Sequence, residues 1–133
     1  MNEEIEGQHP ISEPARRAEL ILYLRELADR DLQERLWIQH LDAPRTSGID
    51  EVSHFFFDDT EIGNAPSSQI GVCLRNAGEA YSIAGLTALL NTMILRLGDR
   101  GSRDYMQDPA WNEVNARAST AHKLLIENDR SLS

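Results

Sequence analysis

His54 and Asp58 stand four residues apart, with Asp59 and Glu61 just beyond them. On a helix that spacing puts an imidazole and a carboxylate on one face. Histidine beside carboxylates is the donor set of a small metal-dependent hydrolytic site, and also of an acid–base pair. The more ordinary use of such neighbours is a structural hydrogen bond. Asp50 and Glu51 precede them, so five carboxylates lie between residues 50 and 61, around Phe55-Phe56-Phe57. No Lys or Arg occurs between Arg45 and Arg75. These features suit an acidic surface with aromatic anchors, made for an arginine- or lysine-lined partner. The candidate contacts are Asp50, Glu51, His54, Phe57, Asp58, Asp59 and Glu61. A competing reading turns the phenylalanines into the core and leaves the acids as a solvated loop. Pairing of the acids with Arg96, Arg100 and Arg103 would make both clusters structural.

The remaining reactive groups carry less. Cys73, flanked by Val72 and Leu74, reads as a buried inert thiol. A Cys–His nucleophilic pair with His40, His54 or His122 has no local signature to support it. A single cysteine excludes an intramolecular disulfide and any multi-cysteine metal site. Gly98 and Gly101 bracket Asp99 and Arg100 without the Gly-Lys-Ser/Thr of a phosphate loop. No cofactor is expected.

Charge narrows the partners. Against 22 Asp plus Glu stand 13 Lys plus Arg, for a net charge of −9. Binding nucleic acid directly, or an anionic membrane, needs the opposite balance. A basic protein is favoured, because opposite fields speed encounter. The apolar runs look shorter than the roughly 20 residues of a membrane span. The start, Met1-Asn2-Glu3-Glu4-Ile5-Glu6, is acidic and lacks the apolar stretch of a signal peptide. A cytoplasmic protein is expected. Its 133 residues, 41% hydrophobic and 26% charged, make one globular domain.

The elements that position these residues read as helices. Residues 1–11 form a loose arm, and residues 12–127 the domain. Ser12 is a candidate cap for a helix over 13–28, with Ala18, Ile21, Leu24 and Ala28 as its stripe and Leu20 and Leu27 widening it. Asp31 and Glu34 match a capping box for a second helix, whose apolar side is Leu32, Leu36, Trp37 and Leu41. That helix should stop before Pro44. Arg45 to Gly48 reads as a loop, with Ser47 a possible cap for the next element. Residues 49–74 are a short extended or helical insert. Ile49, Val52, Phe55 and Phe56 favour a short helix at its start, and the Phe triplet would also suit a strand. Residues 79–97 make the strongest helix, apolar around most of its circumference and so central. Asp108-Pro109 should open the last helix. There Trp111, Val114, Ala118, Ala121 and Leu125 recur as a narrow seam. The polar residues 128–133 should fray. The expected fold is all-α, a compact bundle-like domain of about four main helices.

Several of these elements together resemble a family of small acidic uncharacterised bacterial proteins. They are Leu27-Ala28-Asp29, Gln33-Glu34-Arg35-Leu36-Trp37, His54 with Asp58-Asp59, Ile70-Gly71, Glu79, and Asp108-Pro109-Ala110-Trp111 with Val114. The resemblance spans about residues 15 to 125. Some similar proteins act as immunity proteins of polymorphic-toxin and contact-dependent inhibition systems. The resemblance implies no enzyme activity and no cofactor. The expected function is therefore non-catalytic: an acidic protein that neutralises a basic toxin, for example a nuclease. The alternatives are a small metal-dependent hydrolase using His54, Asp58 and Asp59, and a structural or adaptor homodimer.

Overall fold

The computed structural model describes residues 8–40 and 48–132. Six α-helices follow in order: α1 (Pro14–Ala28), α2 (Arg30–Gln33), α3 (Ile49–Ser53), α4 (Ala77–Leu97), α5 (Ser102–Gln107) and α6 (Trp111–Ser131). α2 and α3 each run on into a π-helical turn, Glu34–Ile38 and His54–Asp59, and Pro66–Gln69 is a 3-10 turn. The nearest approach to a strand among the described residues is one bridge between Ile70 and Leu74. The domain is all-α, and the insert at 49–74 begins as a helix.

α6 is the central element. α1 packs along one side of it and α4 along another. Its seam of Trp111, Val114, Ala118, Ala121 and Leu125 is wholly buried. Ala118 and Ala121 allow close helix approach, while Trp111 fills the wider end against Trp37, the rings meeting edge to face at 6.0 Å. Leu20, Leu24 and Leu27 of α1 and Ile83, Leu86, Leu90 and Met93 of α4 complete the core. Each such side chain contributes roughly 1.5–3 kcal/mol by leaving water.

Several boundaries differ from expectation, each for a local reason. The buried stripe of α1 is Arg17, Leu20, Leu24 and Leu27, rotated from the expected one; Ala18 is exposed and Ile21 and Ala28 are half-buried. The larger leucines take the core, and Arg17 turns inward with them. Glu13, not Ser12, precedes that helix, without a side-chain cap. Asp29, not Asp31, caps α2: its carboxylate accepts from the Leu32 N–H at 3.1 Å. The amide of Gln33 donates to the carbonyls of Glu26 and Leu27, closing the last turn of α1. The expected stop before Pro44, the contribution of Leu41, and the loop with Ser47 lie outside the described residues.

α5 was not anticipated, and it displaces the start of the last helix. Asp108 ends α5, and α6 begins at Trp111. Arg96 at the end of α4 holds the Asp108 carboxylate by two bonds, at 2.6 and 2.9 Å. Asp108 still receives the Ala110 N–H at 3.0 Å, so it supports the new helix from outside. The end of α6 does not fray: the helix runs to Ser131, because Asn128 and Asp129 are tied into the interior. α4 is also longer and more apolar than any run expected from the sequence. By length and mean hydropathy, 1.3, it is sufficient to cross a membrane, yet it packs its inner face into this core.

Candidate functional site

The acidic segment rides on α3 and its π turn. Ile49, Val52, Phe55 and Phe56 fasten this element to the core. Phe55 stacks on Tyr23 at 4.6 Å and meets Phe56 edge-on at 5.2 Å. Two adjacent phenylalanines therefore point inward, as the competing reading of the triplet held, while Phe57 is half-buried at the rim. The π turn ends at Thr60, whose backbone is extended. Thr60 Oγ1 donates to the Phe55 carbonyl at 2.7 Å, the Gly63 N–H to the Phe56 carbonyl at 2.8 Å, and Asn64 Nδ2 to the Phe57 carbonyl at 3.1 Å. These bonds satisfy the carbonyls that a helix end leaves free. They fix the loop that carries Glu61.

The outer side of this element is open to solvent. Asp50, His54, Asp58, Asp59 and Glu61 are exposed, and Glu51 is partly so. Asp58, Asp59 and Glu61 line one shallow recess of about 340 Å³ with Glu13, Arg16 and Gln69. Asp50 and Glu51 sit at the other end of the element, in the first turn of α3. Asp50 lies near enough to Tyr105 to help hold its phenol above the usual range, after the larger effect of burial. Among the described residues, Asp50, Glu51, Asp59 and Glu61 have no ion-pair partner. Arg96 pairs with Asp108 instead, which removes the expected internal neutralisation from that arginine.

His54 Nδ1 lies 2.6 Å from Asp58 Oδ2, with the two side chains 64% and 61% exposed. The spacing of four delivers the predicted pair. Among the described residues no three His, Cys, Asp or Glu side chains gather as metal ligands do, so neither Asp59 nor Glu61 completes a set around His54. Cys73 is buried, and burial pushes its thiol up to about 11. A thiol that stays protonated at neutral pH is a poor nucleophile. Its Sγ lies 3.9 Å from Gln69 Oε1.

The strongest polar constellation lies inside the protein, where sequence reasoning placed nothing. Arg17 Nη1 and Nη2 donate to the two oxygens of Glu79 at 2.9 and 3.0 Å. The same guanidinium reaches the Cys73 and Leu125 carbonyls and Asp129. Arg75 also binds Asp129, and Asn128 binds Glu79. A second interior cluster joins Trp37 to Glu26 and Trp111 to Gln33. Glu79 is the sole carboxylate in α4, and Arg17 continues the spacing of Leu20, Leu24 and Leu27; those were the available signals. Both clusters join helices to one another.

No curated protein and no solved structure shows a match to this chain. A family model described as a domain of unknown function, DUF7945, matches residues 12–133. Having this helical domain over nearly its whole length, the chain belongs to the DUF7945 family.

Proposed function

We propose that the protein is a non-catalytic binding protein, an immunity protein that neutralises a basic toxin such as a nuclease. The observation that supports this most is the row of carboxylates at 50–61, where Asp50, Glu51, Asp59 and Glu61 have no ion-pair partner among the described residues. A protein whose surface acids are already paired has little to offer a basic partner; these acids keep their charge available. Steering by a net charge of −9 speeds the encounter, and the hydrogen-bonded π turn already holds the backbone that presents the acids. In the complex Asp58, Asp59 and Glu61 receive arginines or lysines, with His54 beside them. Asp50 and Glu51 extend the contact along α3, and Phe57 supplies an apolar edge. The setting expected for such a protein is the cytoplasm.

The test is affinity capture from lysate of the cells that encode the protein. Wild type and an Asp58→Lys/Asp59→Lys variant are compared at two salt concentrations. One basic protein held by wild type at low salt, and lost by the variant, supports the reading. Capture that ignores both salt and charge reversal ends it.

A second reading rests on the 2.6 Å approach of His54 and Asp58. It is a small metal-dependent hydrolase in which these two residues would hold the metal, although among the described residues Asp59 does not join them as a third ligand. Stoichiometric zinc or manganese surviving chelation and dialysis, and lost in His54→Ala, would favour it over the inhibitor.

A further inference from the structure

α4 buries Glu79, Ala80, Ile83, Leu86, Thr87, Leu90 and Met93 on its inner face. Its outer face is left open among the described residues. There Tyr81, Ala88 and Leu95 recur every seven residues, the heptad interval that keeps side chains in line along a helix. Tyr81 is 84% exposed and Leu95 81%, the most exposed large apolar side chains among the described residues. Between them this face carries small or uncharged groups. No charged residue occurs from Ala80 to Leu95, in a chain that is 26% charged.

We infer that this face joins two copies of the chain, α4 against α4, antiparallel about a two-fold axis at Ala88. Charge selects the occupant. Two molecules of net charge −9 repel across most of their surfaces, and they approach most easily where charge is missing. Spacing then selects the arrangement. Tyr81 and Leu95 each lie seven residues from Ala88, about 10 Å along the helix. In an antiparallel pair centred on Ala88, Tyr81 of each copy faces Leu95 of the other. Beside Tyr81 a groove of about 400 Å³ runs between α4 and α6, walled by Gly78, Ser82, Gly85, Ala116, Thr120 and Leu124. Leu95 of the second copy enters that groove. The same contact repeats on the other side of the axis, the self-matching pattern of an isologous dimer. Gly85 adds no side chain to the groove; a Cβ there would come within 2.9 Å of Arg117 Nη1 at its border. Its ionic border, Arg117 with Glu113 at 2.9 Å, is neutral as a pair and adds no repulsion between copies. An α4 of 21 residues spans about 30 Å, and a specific pairing along it needs to bury above roughly 1,000 Å² in total.

Sedimentation equilibrium of the full chain from 1 to 500 µM tests this, with circular dichroism melts as the folding control. Wild type is expected at twice the chain mass over most of that range. Ala88→Glu places two like charges on the axis, and Leu95→Glu charges both contacts. Each is expected to raise the dissociation constant at least a hundredfold and to remove the concentration dependence of the melt, while keeping the wild-type far-ultraviolet helix signal, since both positions face solvent in one copy. Ala88→Cys is expected to form an intermolecular disulfide under mild diamide oxidation, with Cys73 buried and silent. Tyr81→Cys alone should fail to do so, and a mixture of Tyr81→Cys with Leu95→Cys should succeed. A wild-type monomer at 500 µM overturns the inference. So does a dimer indifferent to Ala88→Glu and Leu95→Glu, or a monomer that floats with anionic or neutral phospholipid vesicles through the same face. Toxin capture is read separately, so either proposal can fail alone.

Discussion

Arg17 and Glu79 meet in the core fork to fork, with Nη1 2.9 Å from Oε1 and Nη2 3.0 Å from Oε2. Their side chains are 5% and 0% exposed. This one contact ties the first turn of α1 to the first turn of α4, and through Asp129 to the last turns of α6. The guanidinium stays charged: burial opposes its proton, and the bonds from Glu79 and Asp129 outweigh burial.

Removing one member should therefore cost far more than removing both. Glu79→Leu strands a buried guanidinium with Asp129 as its remaining carboxylate beside the Cys73 and Leu125 carbonyls, for a loss of about 3–5 kcal/mol. The double variant Arg17→Met/Glu79→Leu should recover more than half of that loss. Urea unfolding of the four species in a double-mutant cycle checks both statements. An additive cycle would mean that the pair is not coupled.

Gln33 is a hub of the same kind. It accepts from Trp111 Nε1 at 2.9 Å and donates to the carbonyls of Glu26 and Leu27. Gln33→Leu keeps the volume but leaves the Trp111 indole N–H unpaired and takes one of two donors from each of the Glu26 and Leu27 carbonyls, which keep the Asp29 N–H and Asn115 Nδ2. The expected loss is about 2–3 kcal/mol, with a changed near-ultraviolet dichroism from Trp37 and Trp111.

These two clusters mark where sequence reading stopped. Apolar periodicity identified α4 and the Trp111–Leu125 seam, because a buried helix face repeats every three to four residues whatever its partner. Periodicity assigns nothing to Arg17, Glu26, Gln33 and Glu79, since a polar residue on an apolar stripe declares itself only when its partner is known. Arg17 and Glu79 are 62 residues apart, and nothing local links them. The π turns escaped as well. The acids of 50–61 were legible as a cluster because a gap in positive charge is visible in one dimension. Their division into a recess at 58–61 and a separate end at 50–51 needed the fold.

Acid stability should fall in two stages. Burial, then Arg25, lowers the pKa of His122 below its ordinary 6.5, so the folded protein prefers the neutral ring. Stability is full above 6.5 and begins to decline as pH falls through that region. Arg96 and the Ala110 N–H hold Asp108 at about 2, against an ordinary 3.8. A depressed carboxyl stabilises the fold above its unfolded value and loses that contribution as pH drops from about 4 towards 2. Asp129 acts in the same sense, since the bonds from Arg75 and Arg17 outweigh the upward push of burial. Urea midpoints between pH 2 and 8 should show both stages. Asp108→Asn should flatten the lower one and His122→Gln the upper.

Gly63 couples the loop to the rim of the binding surface. A Cβ there would lie 2.7 Å from both the Phe56 carbonyl and the Phe57 ring. Backbone cannot yield cheaply, so Gly63→Ala should cost about 1–3 kcal/mol and displace Phe57. A methyl spectrum in which only residues near 56–66 shift would match this local rearrangement.

The acids themselves should be dispensable for folding. His54 and Asp58 touch at 2.6 Å but are each more than half exposed, and exposed pairs contribute little, about 0–1 kcal/mol. Asp59 and Glu61 have no ion-pair partner among the described residues, so reversing their charge breaks no such bond. It also relieves repulsion within a chain of net charge −9. Asp58→Lys/Asp59→Lys should thus leave the unfolding free energy from urea titration within about 0.5 kcal/mol of wild type, or raise it. A surface kept for stability would lose stability on reversal. A surface kept for a basic partner loses only the partner, and with it the salt dependence of association. Measuring the urea midpoint and the partner's on-rate on the same variant separates the two: an unchanged midpoint with an on-rate at least tenfold slower is the outcome expected of a docking surface.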